Sequence, residues 1–156
     1  FVTIYFLYKL FVQTQERQKV LQLKHESKNI ILPLRLQAYE RVVLYLERIT
    51  PSNLVIRLNN PALNVTQLQM MILSAIRNEF DHNLSQQLYI SSFGWSSVKS
   101  AKEEVIKLVN LAAAKVSPDA PSTELTSKIF ELLVEGQKGP TDYALEVLKK
   151  EISIYF

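Results

Sequence analysis

The strongest pattern of apolar and polar positions in the chain runs from residue 32 to residue 49. At about 100° per residue, its apolar side chains fall on one broad side of a helix and its charged ones fall opposite. The apolar set is Leu32, Leu36, Tyr39, Val42, Val43, Leu46 and Ile49. Thr50-Pro51 supplies a capping residue and a first-turn proline, so we predict that this helix ends near Ile49 and another begins at Pro51.

Helical spacing continues through the rest of the chain, interrupted by turn residues. We predict helices at residues 51–58, 64–89, 96 or 97 to about 112, 123–135 and 141–156. Asn64 and Gln67 have the spacing of a capping box at the start of the second of these. The third has a narrow apolar stripe, and the last has an inward-facing set. The stripe is Val98, Ala101, Val105, Leu108, Val109 and Ala112, and the inward set is Ala144, Leu148, Ile152 and Tyr155. No stretch alternates for long enough to make a strand, and the chain has only three glycines and no cysteine. The predicted fold class is all-α, a bundle of about five or six helices.

Two arginines fall inside the predicted apolar arcs of their helices. The arc of helix 64–89 consists of Met70, Ile72, Leu73, Ile76, Phe80, Leu84 and Leu88, and it also contains Arg77. Arg35 lies in the arc of the first helix, where its stem can pack while its head reaches solvent. The alternatives are a buried ion pair and a ligand-binding arginine. Our hypothesis is a buried polar layer in which Arg35 and Arg77 share the carboxylates Glu79 and Asp81.

Apolar residues dominate positions 1–12, where Lys9 is the one charged residue. This run is shorter than the roughly 20 residues of a full span, and it does not begin with methionine. We interpret residues 1–12 as the cytoplasmic end of a transmembrane helix that begins in a longer chain; an ordinary buried helix is the alternative. Tyrosines favour the membrane interface, and lysine reaches the headgroups. The predicted membrane contacts are Phe1, Ile4, Tyr5, Phe6, Tyr8, Lys9 and Phe11.

Residues 13–31 form a polar, basic stalk that favours a helix. Its candidate interaction residues are Arg17, Lys19, Lys24 and Lys28. Proline disrupts a helix interior, so we predict a break or kink around residues 29–32, just before Pro33. Residues 1–57 hold nine Lys/Arg and four Asp/Glu, whereas the remainder holds nine and eleven. Basic charge beside a span marks its cytoplasmic side. We therefore expect a cytoplasmic (inner) membrane location, with a helical domain at residues 32–156 that faces the cytoplasm.

Few residues in the chain are candidates for a binding, metal or catalytic site. We predict a break in the stretch 91–95, where Phe93 and Trp95 form a candidate partner-docking pair, with core packing as the alternative. His82 lies beside Asp81 and near Glu79, which could be a metal fragment or an ordinary surface position. Without cysteine, the chain has no disulfide, thiolate ligand or cysteine nucleophile. We expect no enzymatic activity, no catalytic or metal site and no cofactor.

Four short segments of the sequence resemble an uncharacterised family of small Bacteroidota proteins. They are L-P-L-R-L-Q-A-Y-E-R (32–41), L-E-R-I-T-P-S-N-L (46–54), N-L-S-Q-Q-L-Y (83–89) and A-K-E-E-V-I-K-L-V-N-L-A-A (101–113). Members of that family have one N-terminal transmembrane helix and a cytoplasmic helical domain. The resemblance covers the chain from about Val12 onward. It implies a span at the N-terminus but no activity, so no functional residue is carried over.

These observations favour a membrane-anchored, non-enzymatic accessory or scaffold subunit of an inner-membrane protein complex. The expected partners are membrane lipid and either a protein of that complex or a second copy of the chain. An alternative is a peripheral module that binds anionic membrane or nucleic acid through the basic stalk, although nucleic acid is the less favoured ligand. Such binding weakens steeply with salt. A hydrolase or metal-dependent enzyme built on Glu79, Asp81 and His82 is the third hypothesis.

Overall fold

The computed structural model describes residues 2–136 and 138–155, apart from the side chains of Val2, His25 and Lys28. These residues form six α-helices and one 3₁₀-helix: α1 (Val2–Ile49), α2 (Pro51–Leu58), α3 (Val65–Asn83), the 3₁₀-helix (Leu84–Leu88), α4 (Ser92–Ala114), α5 (Ser122–Glu135) and α6 (Asp142–Ser153). No strand occurs among them, which confirms the all-α prediction. The chain divides into two units, an N-terminal unit at residues 1–37 and a bundle unit at residues 38–156.

Helix α1 contains Pro33 and continues through it, so the break that we predicted as an alternative to a kink before this proline does not occur. A proline inside a helix removes one hydrogen bond, the one that would reach the carbonyl four residues earlier. That carbonyl belongs to Asn29, and both Asn29 and Pro33 are exposed. Solvent can therefore satisfy the carbonyl that lacks a backbone partner, and the helix persists.

The capping residues predicted from the sequence start α2 and α3 where expected. Thr50 is the N-cap of α2 with Pro51 in the first turn, although the Thr50 hydroxyl donates back to the Leu46 carbonyl at 3.0 Å. Asn64 and Gln67 form a complete capping box on α3, with hydrogen bonds of 2.9 and 3.1 Å. The box at Asn64 and Gln67 pairs backbone groups that the start of α3 otherwise leaves without partners, whereas the Thr50 side chain makes no such bond to α2.

Helix α3 ends at Asn83, six residues before the predicted end. The Asn83 side-chain amide donates to the Glu79 carbonyl at 2.8 Å, and the chain continues as a 3₁₀-helix. A 3₁₀-helix turns 120° per residue instead of 100°, so it rotates the later residues away from the apolar arc. Leu84 and Leu88 are exposed, and so is Met70, two positions beyond the buried Leu68; the prediction that these three lie in the core is wrong.

Helix α4 begins at Ser92, four or five residues earlier than predicted. Ser91 is its N-cap, and the Ser91 hydroxyl accepts a hydrogen bond from the Gly94 amide at 2.8 Å. The stretch 91–95 is thus a helix start and not a break. The predicted narrow stripe of α4 is buried, with Leu108 partly buried beside it: Val98, Ala101, Val105, Val109 and Ala112.

The core of the bundle unit combines the C-terminal part of α1 with helices α2 to α6. Ala38, Tyr45 and Leu46 of α1 are almost fully buried, and Leu125 and Ile129 of α5 are fully buried. Helix α6 buries Ala144, Leu145, Val147 and Leu148. Tyr155 was predicted to point inward, but α6 ends at Ser153 and Tyr155 lies beyond it at 39% exposure. An antiparallel bridge between Asn64 and Pro121 joins the starts of α3 and α5.

Candidate functional site

The first turns of α1 expose large apolar side chains on every side. Residues 4–8, 10 and 11 are all apolar or aromatic, and each is between 49% and 68% exposed. At about 100° per residue, consecutive positions of this kind cover the whole circumference of a helix. These residues include every predicted membrane contact except Lys9, which is exposed as well, and Phe1, which lies outside the described residues.

An exposed apolar surface of this kind indicates contact with another apolar phase. A helix that is apolar on all sides is typically surrounded by protein or by lipid, whereas a helix lying in a membrane surface has one apolar and one polar face. No helix in the described part of the chain is both long enough and apolar enough to cross a bilayer. We call residues 2–12 the apolar segment of α1. Because apolar side chains lie on every side of it, this segment resembles a helix surrounded by protein or lipid more than one lying in a membrane surface.

Basic side chains follow the apolar segment along α1. Residues 1–37 contain six Lys/Arg and two Glu, a net charge of +4, whereas the other 119 residues carry −1. Arg17 and Lys24 are exposed and seven residues apart, so they lie on the same side of the helix. Lys19 is also exposed but lies on nearly the opposite side. The side chain of Lys28 lies outside the described residues. The described basic groups thus lie on two opposite sides of the helix and do not form one face.

The predicted docking pair Phe93 and Trp95 is not one surface. Phe93 is 62% exposed, but Trp95 is only 7% exposed and stacks on Phe80 with ring centroids 5.5 Å apart. Because both residues belong to α4, their two-residue separation places them on different sides of that helix. Trp95 is therefore a core residue, and Phe93 alone remains available to a partner.

Two of the four residues of the predicted buried polar layer are not buried. Arg77 and Asp81 are both exposed, while Arg35 is half-buried. Glu79 is partly buried, but its partners are Arg48 at 2.6 Å and Arg57 at 3.9 Å. The carboxylate that was assigned to the layer instead links α3 to α1 and α2, at the edge of the core.

The Glu79–Asp81–His82 group is not arranged as a metal site. His82 is exposed, and its Nδ1 lies 2.6 Å from the Asn78 carbonyl on the preceding turn of the helix. No group of three or more His, Cys, Asp or Glu residues in the described part of the chain could hold a metal ion. His82 is a surface residue of α3.

A half-buried carboxylate that sequence inspection missed joins three helices. Glu151 of α6 accepts a hydrogen bond from the Tyr39 hydroxyl of α1 at 2.8 Å and a short one from the Ser91 hydroxyl. A β-carbon added to Gly94 would lie 2.6 Å from Glu151 Oε2. Glycine at this position therefore lets the carboxylate approach the N-terminus of α4, where negative charge is stabilised by the helix dipole.

Replacing Glu151 by alanine should lower the free energy of unfolding by about 2 kcal/mol, because two hydroxyls lose a charged acceptor. Glu146 on the same helix is exposed, and its ion pair with Lys138 spans 3.5 Å. The matched Glu146→Ala change should alter stability by less than about 0.5 kcal/mol. Urea unfolding of the two variants gives the comparison; equal stabilities would contradict a role for Glu151 in holding the helices together.

A second buried polar group lies among aromatic rings. The Tyr45 hydroxyl is buried and, within the residues that the structure describes, has no hydrogen-bond partner. Burial raises the pKa of Tyr45 above its ordinary range, and the negative charges of Glu103, Glu79 and Asp81 raise it further. The neutral phenol is thus favoured in the folded state, but its hydroxyl lies among apolar groups without compensation.

We expect Tyr45→Phe to raise the free energy of unfolding by about 1 kcal/mol at neutral pH, since it removes a buried polar atom without a partner. Tyrosine in the unfolded chain ionises near pH 10. Because the folded-state pKa is higher, the contribution of Tyr45 to the wild-type free energy of unfolding is constant below that pH and decreases as the pH rises above it. The advantage of the variant should therefore grow in alkaline solution. Urea unfolding at neutral pH and above pH 10 tests this; a less stable variant at neutral pH would contradict it.

The fold and these surfaces define an all-helical bundle preceded by an exposed helix that is first apolar and then basic. The chain belongs to a family of unknown function, DUF7935, which it matches over residues 1–155. No curated protein matches the chain, and no solved structure matches it. The resemblance to an uncharacterised family is thereby confirmed. Its Bacteroidota origin and its transmembrane helix stay predictions.

Proposed function

We propose that the protein is a membrane-anchored, non-enzymatic interaction protein, an accessory or scaffold subunit of an inner-membrane protein complex. In this proposal the apolar segment of α1 is the cytoplasmic end of a membrane helix. The bundle unit is the cytoplasmic part, which binds a protein of that complex or a second copy of the chain. The observation that carries the proposal is the exposure of apolar side chains around the whole circumference of α1 at residues 4–11.

The length of the apolar segment supports contact with the hydrocarbon core of a membrane. Residues 2–12 span about 16 Å at 1.5 Å per residue, which is close to half of a hydrocarbon core about 30 Å thick. Tyr8 and Lys9 lie about 6 and 4.5 Å from Val12 along the axis, so the Tyr8 hydroxyl and the Lys9 ammonium group can extend toward the headgroups. Tyr5, about 10 Å from Val12, lies deeper. The net charge of +4 in residues 1–37 is consistent with the cytoplasmic side of the membrane.

The arrangement of charge distinguishes this proposal from peripheral binding. A peripheral helix needs its apolar residues on one face and its basic residues along the edge of that face. In α1 the apolar residues instead cover the whole circumference, and the basic residues follow them along the axis on two opposite sides. This succession favours a helix that emerges from a bilayer.

Purification of the full-length tagged protein from native membranes in mild detergent tests the proposed function. We expect a membrane protein to co-purify at a fixed ratio and to remain bound at high salt, because packed subunits do not depend on exposed charges. Recovery of the protein alone, or with nucleic acid or anionic lipid that salt removes, would overturn the accessory-subunit proposal. A bundle-surface variant, Phe93→Asp, serves as a further probe: its effect on co-purification locates the contact.

A further inference from the structure

The continuity of α1 fixes how far each basic group lies from the apolar segment. Val12 is the last residue of that segment, and the helix continues without a break. At 1.5 Å per residue, Arg17 lies about 7.5 Å beyond Val12 along the helix axis, Lys19 about 10 Å and Lys24 about 18 Å. These separations are independent of the rest of the chain, because all four residues belong to the N-terminal unit.

The headgroup layer is of comparable thickness. A bilayer 40–45 Å thick with a hydrocarbon core of about 30 Å has roughly 5–8 Å of headgroups on each side. The potential of an anionic surface then decays over a Debye length of about 8 Å at physiological salt. If Val12 marks the edge of the hydrocarbon, Arg17 and Lys19 lie within reach of the headgroups, whereas Lys24 lies more than a Debye length outside them.

We propose that Arg17 and Lys19 bind the phosphate groups of anionic phospholipids on opposite sides of α1. This inference rests on the proposed function and adds to it the chemistry of the leaflet. Both side chains are exposed, and their positions on opposite sides suit lipids that surround a helix. A nucleic acid would need the basic groups on one face. The complementarity of charge is the reason for choosing an anionic lipid over a zwitterionic one.

Three variants of the full chain, each removing basic charge from the same helix, separate binding from nonspecific attraction. They are the single changes Arg17→Gln and Lys19→Gln, and their combination; Lys24→Gln is the matched control. Each protein is reconstituted in phosphatidylcholine vesicles with and without phosphatidylglycerol. Spin-labelled forms of the two lipids then report, in electron paramagnetic resonance spectra, how strongly each lipid associates with the embedded protein.

We expect the wild-type protein to select phosphatidylglycerol over phosphatidylcholine several-fold, because basic residues near the surface attract anionic lipid. The double variant should lose most of this selectivity, each single variant part of it, and Lys24→Gln little. Equal selectivity in the wild type and the double variant, both still embedded, would overturn this inference and leave the proposed function intact. An absence of motionally restricted lipid in every protein would instead overturn the proposed function itself.

Discussion

Replacing Phe80 by alanine should lower the free energy of unfolding by about 3–5 kcal/mol. Phe80 is 9% exposed and joins three helices. Its ring contacts Tyr45 of α1 at a centroid distance of 5.9 Å and stacks on Trp95 of α4 at 5.5 Å. The ammonium group of Lys102 lies 4.3 Å from its centroid, a cation–π contact. Alanine would remove all three contacts and leave a cavity between the helices.

Met70 supplies the control for this prediction, because it occupies the same helix and was expected in the core. Met70 is 66% exposed, so Met70→Ala should change stability by less than about 0.5 kcal/mol. Urea unfolding followed by tryptophan fluorescence measures both variants, since Trp95 is the one tryptophan in the chain. Similar losses at positions 70 and 80 would contradict the observed orientation of α3.

The double change Phe6→Glu and Leu7→Glu should weaken membrane association by at least about 100-fold. Placing a charged residue at the centre of a membrane helix is unfavourable by about 2.5–3.5 kcal/mol, and the penalty is smaller near the interface. Both side chains are more than 60% exposed, so the substitutions disturb little intramolecular packing. We therefore expect membrane binding to change while the bundle stays folded.

Val20→Glu with Leu21→Glu is the matched control on the same helix. These two residues are 51% and 65% exposed, but they lie in the polar part of α1, beyond the apolar segment. The control should remain with carbonate-washed membranes while the first variant is released. Retention of both, or release of both to the same extent, would show that the apolar segment is not the anchor.

Local signals in the sequence predicted the elements that depend on neighbouring residues. The Thr50-Pro51 pair marked the start of α2, and the spacing of Asn64 and Gln67 marked the start of α3. These signals work because a cap acts within three or four residues. The apolar stripe of α4 was equally predictable, since one helix face meets the core along its whole length.

Features that depend on distant residues were not predictable in the same way. Gly94 lies in the stretch 91–95 that was predicted to be a break, but its role comes from Glu151, which lies 57 positions later and approaches where a β-carbon would be. A helical wheel also predicts which side of the helix a side chain lies on, but it does not predict which residue that side chain contacts. Glu79 was assigned to Arg35 and Arg77, whereas its partners are Arg48 and Arg57 on other helices.

The apolar segment and the basic stalk were recognisable from the sequence, but their arrangement along the helix was not. Their composition was evident from the sequence, but their arrangement depended on whether Pro33 interrupts α1. Unbroken helix through residues 2–37 sets the spacing and the sides of Arg17, Lys19 and Lys24. From those spacings we predict which basic residues lie near a membrane surface, which the composition alone does not indicate.

Single-cysteine scanning of residues 4–24 tests the membrane anchor most directly, because the chain has no cysteine of its own. A nitroxide attached at each position in lipid vesicles reports access to oxygen, which dissolves in hydrocarbon, and to a water-soluble nickel complex. The proposed anchor predicts high oxygen access at every position from 4 to 11, whatever side of the helix it occupies, followed by a change to water access near residue 13. Access that alternates with a helical period would place α1 flat on the membrane surface, and water access throughout would contradict membrane contact.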